Sequence, residues 1–69
     1  MQIHYTEHAQ KRMKQRAITL PEVEHVLMHP TFVLKHTDGR NESGGTINNR
    51  KIRVIFTLQE KHIKVITVI

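Results

Sequence analysis

The residues best suited to chemistry lie close together near the N-terminus, between His8 and Arg16. In a helix, positions three and four residues apart are neighbours, so His8, Arg12 and Arg16 would line one stripe. An imidazole can exchange a proton near neutral pH, and a guanidinium keeps its charge and matches phosphate oxygens. This combination is suited to cleaving a phosphodiester. The alternative is that the stripe is only the solvated face of a helix.

The net charge favours an anionic partner. The 69 residues include 11 Lys and Arg and six Asp and Glu, which gives a formal charge of +5 with the histidines neutral. One basic cluster lies in the predicted first helix, and a second occupies residues 50–53. Two separate basic clusters on so small a body favour nucleic acid as the partner. The alternative is that the positive charge serves solubility alone.

Length and composition exclude several classes of protein. Sixty-nine residues predict one domain, residues 1–69. The absence of cysteine excludes disulfides, thiolate zinc sites and cysteine nucleophiles, and it is typical of a reducing cytoplasm. No apolar run resembles a signal peptide or approaches the roughly 20 residues of a membrane span. We therefore expect a cytoplasmic protein without a membrane partner.

Capping residues predict two helices. Thr6 is a suitable N-cap for a first helix over residues 7–16. Thr19 and Glu22 have the spacing of a capping box, which predicts the start of a second helix, and Pro30 ends that helix. The residues expected to cover the sheet are Met13, Val23, Val26 and Leu27.

Alternating apolar residues predict strands after the second helix. These strands are residues 32–36, 46–47, 50–58 and 62–69. The polar, glycine-rich run 38–45 predicts a loop, and Asn48-Asn49 a hairpin turn. Ile3 and Tyr5 form either a short leading strand or apolar anchors. Two helices followed by a meander of three or four antiparallel strands predict a two-layer α+β sandwich.

One string of residues carries a resemblance to a known family. It is His8-Ala9-x-x-Arg12-Met13-x-x-Arg16-x-Ile18, followed by Val23, Val26-Leu27, Pro30, a basic strand and a closing Val65-Ile66-Thr67-Val68. Over nearly its whole length the chain resembles a bacterial family of small domains of unknown function. That family is grouped by fold with the RelE-type toxins, and more widely with the barnase, EndoU and colicin ribonucleases.

The resemblance implies a RelE-like fold, with two helices packed on a three- to four-stranded antiparallel sheet. It also implies a metal-independent ribonuclease, the toxin of a toxin–antitoxin system, with RNA and a cognate antitoxin or immunity protein as partners. Such an enzyme needs a base for the 2′-hydroxyl, cations for the charged phosphorane and an acid for the leaving oxygen.

From these chemical requirements, together with the resemblance, we assign the following roles. His8 is the acid/base, Arg12 and Arg53 stabilise charge in the transition state, and Thr67 orients the phosphate. The residues expected to follow the RNA backbone are Lys11, Lys14, Arg16, Arg40 and Lys51.

Two other functions stay open at this point. The same basic face would serve a non-catalytic module that binds RNA or a protein. The apolar strand Ile63–Ile69 would pair two copies of the chain if it lay at a sheet edge.

RelE-type enzymes carry a dense set of Lys, Arg and Tyr on the last strand, whereas Tyr5 is the single tyrosine here. The resemblance therefore does not extend to cleavage on the ribosome.

Six histidines raise the question of a metal site. His4 and His8 are four residues apart, as are His25 and His29, which is the spacing of metal ligands on a helix. A catalytic zinc helix needs a glutamate inside the pair, as in H-E-x-x-H, and neither pair has one. Without cysteine no thiolate completes a structural zinc site. We therefore predict no metal and no cofactor.

Overall fold

The computed structural model describes residues 2–69, so residue 1 of the predicted domain 1–69 lies outside the described residues. The elements in chain order are β1 (Gln2–Tyr5), α1 (Glu7–Arg16), α2 (Leu20–Met28), β2 (Phe32–Lys35), β3 (Asn41–Ile47), β4 (Arg50–Leu58) and β5 (His62–Val68). The predicted bounds of α1 and of β4 are confirmed. The strand predicted at 62–69 ends one residue earlier.

The sheet corrects the predicted fold class. It has five strands in the order β1-β5-β4-β3-β2, and β1 runs parallel to β5 while the other pairs are antiparallel. The α+β class holds, but the prediction of a three- to four-stranded antiparallel sheet is wrong. One reason is that β3 contains Glu42-Ser43-Gly44-Gly45, residues of low strand propensity that predicted a loop. Pairing on both sides of β3 overrides that propensity.

Side-chain caps begin both helices. Thr6 Oγ1 accepts a hydrogen bond from the Ala9 N–H at 3.0 Å and donates to the Ile66 carbonyl at 2.8 Å, which ties α1 to β5. The predicted capping box is confirmed: Thr19 Oγ1 accepts from the Glu22 N–H at 3.3 Å, and Glu22 Oε1 accepts from the Thr19 N–H at 2.8 Å. Two of the unpaired N–H groups at a helix start are satisfied in this way.

Both helices cover one face of the sheet, which we call the helix face. The residues of this core are Ala9, Met13, Ile18, Val23, Val26, Ile52, Val54, Val65 and Val68. Of the four residues predicted to cover the sheet, Met13, Val23 and Val26 are buried and Leu27 is partly buried. This apolar layer positions α1 and α2 and stabilises the domain.

A bulge in β5 changes which residues reach the core. Ile55 lies opposite Thr67, while the next residue of β4 lies opposite Val65, so Ile66 is an extra residue in β5. Because of this insertion, Val65 and Val68 both point to the helix face and both are fully buried. The strict alternation predicted along residues 62–69 is therefore wrong after Val65.

The other face of the sheet carries no helix, and we call it the open face. Side chains of directly paired residues project from the same face of a sheet. One row on the open face is Phe32, Gly44, Arg53 and Ile69. The next row is Leu34, Glu42, Ile55 and Thr67. Polar and charged residues thus alternate with apolar ones across this surface.

The edges of the sheet differ from the prediction. The apolar strand β5 lies between β1 and β4, so the expectation that Ile63–Ile69 forms an exposed edge is wrong. Short strands close the sheet, β1 on one side and β2 on the other, with four residues each. Within residues 2–69, none of the helices has the length and apolar character needed to cross a membrane.

Candidate nucleic-acid interface

A cleft of about 570 Å³ lies at one end of the sheet. Its cationic lining residues are Arg16 at the end of α1 and Lys51 and Arg53 at the start of β4. The other lining residues are Thr31, Phe32, Gly45, Thr46, Ile52 and Ile69, so no Asp or Glu side chain faces the cleft. Three positive charges around one hollow make a site for an anion such as a phosphate group.

Arg50 fixes the end of α1 beside this cleft. Its guanidinium donates to the Ala17 carbonyl at 3.0 Å and also to the Arg16 carbonyl. Ala17 has a φ of 53°, the left-handed conformation that ends a helix. The carbonyls that a helix end leaves unpaired are thereby satisfied by a cation, which is the charge that this end prefers. Arg16 is consequently held within reach of the cations of β4.

An aromatic ring forms one wall of the cleft. The ring of Phe32 lies directly over Gly44, where a Cβ atom would stand 2.1 Å from the ring. Gly44 is therefore required for this close approach, because any side chain at this position would occupy the space of the ring. Phe32 remains 41% exposed, so one surface of the ring is available to a ligand.

A charged cluster extends from the cleft across the open face. Glu42 Oε2 lies 3.4 Å from Arg53 Nη1, and Glu42 Oε1 lies 3.2 Å from His36 Nε2. The Glu42 side chain is only 8% exposed, whereas those of His36 and Arg53 are about half exposed, at 46% and 50%. A carboxylate buried to this extent needs hydrogen-bond partners, which His36 and Arg53 supply.

The residues of the expected catalytic site do not meet on one surface. His8 and Arg12 lie on α1, which packs through Ala9 and Met13 on the helix face. Arg53 and Thr67 project from the open face, so the sheet stands between the two pairs. His8 is exposed and Arg12 is half-buried, and neither lines the cleft. The convergence expected from the sequence is not formed.

Thr67 and the residues expected to contact the RNA backbone also lie in different parts of the structure. Thr67 lies in the row next to Arg53, and its hydroxyl is 3.5 Å from the Val68 carbonyl. Arg16 and Lys51 line the cleft, whereas Lys11 and Lys14 are exposed on α1. Arg40 lies in the turn between β2 and β3, where its Nε is 3.7 Å from Asp38 Oδ2.

Sequence reasoning missed Phe32, His36 and Glu42 as candidate functional residues. Phe32 and His36 belong to the predicted strand 32–36, where their even separation of four residues predicts one shared face. Glu42 was part of the predicted loop, so nothing in the local pattern placed it beside them. Only the pairing of β3 with β2 and β4 brings its carboxylate between His36 and Arg53.

A second cavity of about 570 Å³ opens between the helices and β1. Its lining includes Tyr5, Met13, Ile18 and Leu20. Within residues 2–69, the Tyr5 hydroxyl is the buried side-chain polar atom that has no hydrogen-bond partner. Burial, and then the negative charge of Glu24, raise the pKa of Tyr5 above its ordinary value. The hydroxyl therefore stays protonated. Of the described residues, Lys14 is the one cation in the lining of this cavity, whereas three cations line the cleft.

Four of the six histidines form two pairs. The rings of His4 and His62 are stacked with centroids 4.0 Å apart, and those of His25 and His29 lie 5.3 Å apart. His4 belongs to β1, so the spacing of four between His4 and His8 is not helical. Among residues 2–69 there is no group of three or more His, Cys, Asp or Glu side chains that could hold a metal ion.

Comparison with known proteins gives one match. The profile of the family described as "Domain of unknown function (DUF4258)" matches residues 5–69. No curated protein and no solved structure shows significant similarity to the chain. Because the matched segment includes both helices, β2 to β5 and every residue of the cleft, the chain belongs to the DUF4258 family of domains of unknown function.

Proposed function

We propose that this domain binds single-stranded RNA through the cleft and cleaves it without a metal ion. The observation that carries the proposal is the cleft itself, where Arg16, Lys51 and Arg53 meet around one hollow without an acidic side chain in its lining. A formal charge of +5 adds a long-range attraction for polyanions. Cleavage of a phosphodiester needs such preorganised positive charge, because the transition state carries more negative charge than the substrate.

Phe32 supports a single-stranded ligand. Proteins that bind single strands combine a cationic groove for the backbone with aromatic rings on which bases stack. Here a half-exposed ring lies at the wall of the cationic cleft. A base stacked on Phe32 would leave its phosphate within reach of the cations of β4. Bases in a duplex are already stacked on one another and present no free surface to the ring.

A second candidate is a non-catalytic RNA-binding module, and one observation favours it. The expected acid/base His8 lies on the helix side of the sheet, away from Arg53 and the cleft. If His8 were the sole proton-transfer group, the cleft would bind RNA without cleaving it. Cleavage in EDTA separates the two candidates, since EDTA chelates the metal ions that contaminating nucleases need, while a metal-independent enzyme stays active.

The RelE-type fold and the toxin role belong to the same proposal. Two helices followed by the antiparallel strands β2 to β5 support a distant relation to that group, with β1 as an addition. In this proposal the protein acts in the cytoplasm, and a cognate antitoxin covers the cleft. Expression in a bacterium is the test: we expect growth arrest that Lys51→Ala relieves. Unchanged growth with intact cellular RNA would contradict the toxin role.

Salt-dependent binding tests the cleft directly. A fluorescent single-stranded RNA should bind with an affinity that falls as salt rises, because bound phosphates release counterions. Lys51→Ala should weaken binding and reduce the slope of log affinity against log salt by about 0.7, the value for one phosphate contact in a single strand. Arg16→Ala should act in the same direction.

Lys61→Ala is the matched control for these variants. Lys61 is an exposed lysine in the turn before β5 and lies outside the cleft, so its loss changes the net charge equally. We expect its salt slope to stay close to that of the unmodified protein. Equal effects of Lys51→Ala and Lys61→Ala would mean that RNA responds to net charge and not to the cleft, and would contradict the proposal.

A further inference from the structure

We infer that His36 is the general base of RNA cleavage and that Glu42 holds its ring in place. This inference rests on the proposed function, since it assumes that an RNA phosphate is bound beside Arg53. It replaces His8 in the proton-transfer role with a histidine that lies on the same face of the sheet as the cations.

The geometry of the cluster supports this assignment. His36 continues the open-face positions Phe32 and Leu34 of β2, and its backbone N–H donates to the Arg40 carbonyl at 2.9 Å. Its Nε2 lies 3.2 Å from Glu42 Oε1. A base whose second ring nitrogen is oriented by a carboxylate is a recurring arrangement in enzymes that activate a hydroxyl group.

The hydrogen bond fixes which ring nitrogen is free. An ionised carboxylate accepts hydrogen bonds only, so Nε2 carries the proton that it donates to Glu42. In the neutral imidazole the other nitrogen, Nδ1, then holds a lone pair and acts as an acceptor. The half-exposed ring presents this nitrogen on the open face, where a ligand can approach it.

Arg53 connects the base to the phosphate site. The residue lines the cleft, and its Nη1 is 3.4 Å from the same carboxylate that orients His36. A guanidinium has five N–H donors in a planar fork, so the contact with Glu42 leaves donors for a phosphate. His36 does not line the cleft itself, but it contacts the carboxylate of Glu42, which also contacts Arg53. An RNA strand that extends from the cleft along β2, past Phe32 and Leu34, reaches His36.

The burial of Glu42 points to a positioning role. Its side chain is 8% exposed and its strand neighbours on the open face are Leu34 and Ile55. Burying a carboxylate costs free energy unless its partners are in place. A carboxylate that is hydrogen-bonded to both side chains thus restrains the ring of His36 and the guanidinium of Arg53 together.

The chemical step needs no cofactor. The ribose 2′-hydroxyl gives its proton to Nδ1 of His36, and the 2′-oxygen forms a bond to phosphorus. The bond from phosphorus to the 5′-oxygen breaks, and that oxygen takes a proton from water. The products are a 2′,3′-cyclic phosphate and a free 5′-hydroxyl, and the His36 imidazolium returns its proton to the solvent. Arg53 stabilises the negative charge of the phosphorane.

The test compares two histidines on opposite sides of the sheet. His36→Gln and His8→Gln each remove one imidazole from an accessible position, so both variants should fold, which far-UV circular dichroism checks. Cleavage of a labelled single-stranded RNA is measured in EDTA, beside binding of the same RNA with 2′-deoxy sugars. Loss of a general base slows cleavage by about 100-fold or more.

We expect His36→Gln to cleave about 100-fold more slowly and to bind the deoxy strand as before. We expect His8→Gln to cleave at the rate of the unmodified protein. Glu42→Gln should lower kcat by a larger factor than it changes KM, because Arg16 and Lys51 still bind the RNA when the ring of His36 is misoriented. Products that end in a 2′,3′-cyclic phosphate are expected as well.

Three outcomes would overturn the inference. Cleavage by His36→Gln within about threefold of the unmodified protein removes His36 from the step and leaves the proposed function standing. Salt-sensitive binding without any cleavage by the unmodified protein removes the catalytic step and supports the binding module. Absence of salt-sensitive binding removes the proposed function, and the inference with it.

Discussion

The two faces of the sheet are held together by different interactions. The helix face is mainly apolar, and Val23, Val26, Val54, Val65 and Val68 are all fully buried there. The open face carries His36, Glu42 and Arg53, which are held by hydrogen bonds at 3.2 and 3.4 Å. The first face draws its stability from the removal of apolar surface from water. The second buries less apolar surface and so contributes less to stability, but it keeps polar and charged groups in a fixed geometry.

This difference shows how a chain of 69 residues can support both a fold and a site. A small domain has room for one core, so its stability depends on one layer of contacts. All the core residues lie between the helices and the sheet, which leaves the opposite surface free to carry charge. The comparison predicts that substitutions on the helix face affect stability most, and that those on the open face affect binding or local packing.

Removal of a core side chain should have the largest effect on stability. Ile52 is 1% exposed on the helix face, so Ile52→Ala deletes buried methylenes and leaves a cavity. We expect the free energy of unfolding to fall by about 2–5 kcal/mol, as measured by urea denaturation. Ile55→Ala on the open face of the same strand is the control, and it should cost about 1 kcal/mol, since Ile55 is only partly buried. Equal losses would contradict the distinction between the faces.

A pair of adjacent glycines gives a sharper comparison at intermediate magnitude. Gly44 faces the Phe32 ring, so the added methyl of Gly44→Ala displaces the ring and should cost about 1–3 kcal/mol. Gly45 faces α2, where a Cβ atom would lie 3.5 Å from Val26, an ordinary contact. Gly45→Ala should therefore be tolerated.

The double variant Gly44→Ala with Phe32→Ala identifies the cause. If the clash with the ring is responsible, the added methyl should cost little once the ring is absent, and the two effects are non-additive. RNA binding should be weakened by each single variant, because both disturb the aromatic wall of the cleft. A Gly44→Ala protein as stable as the unmodified one would show that the ring does not rest on Gly44.

The smallest effect concerns pH and the start of α2, away from both faces. The hydrogen bond from the Thr19 N–H, followed by that from the Thr19 hydroxyl and the charge of Arg50, lowers the pKa of Glu22 below its ordinary value of 4.5. The folded state thus binds this proton less readily than the unfolded state. The contribution of Glu22 to stability is therefore present above pH 4.5 and declines as the pH falls through the lowered folded value.

Glu22→Gln removes this titration while keeping a side chain that can accept the Thr19 hydrogen bond. We expect the difference in urea midpoint between the unmodified protein and Glu22→Gln to shrink as the pH is lowered from 7 to 3. A difference that is independent of pH would exclude the ionised carboxylate as the source of the effect.

Local sequence signals were sufficient for the helices and for much of the sheet. The capping box at Thr19 and Glu22 placed the start of α2, and Thr6 placed the start of α1. The hairpin turn at Asn48 and Asn49 was also correct, and these residues have φ values of 51° and 66°. Each of these features depends on residues within a few positions of one another, which a single sequence displays directly.

Long-range pairing was the part that local patterns missed. Asn41–Ile47 has few β-branched residues and became a strand because it is paired on both sides. β1 has four residues, and its place beside β5 depends on a partner about 60 positions away, as in the pairing of Gln2 with His62. The bulge at Ile66 is likewise set by the register of β5 against β4.

The candidate site followed the same division. Arg16, Lys51 and Arg53 were identified from charge and from the family resemblance, and the structure brings them together in one cleft. His8 and Arg12 were identified by helical spacing, which shows that they share a stripe but not which side of the sheet that stripe occupies. Glu42 and His36 had no signal of this kind, because their partnership depends on the strand register.

The sequence by itself determined the α+β class, the two capped helices and the excess of positive charge. These properties depend on local capping, on the spacing of apolar residues and on composition. Only the tertiary structure decided which charged residues share a face, because face and register come from pairing between distant strands. That pairing is why Arg53 lies with Glu42 and His36 on the open face, while His8 lies on the other side of the sheet.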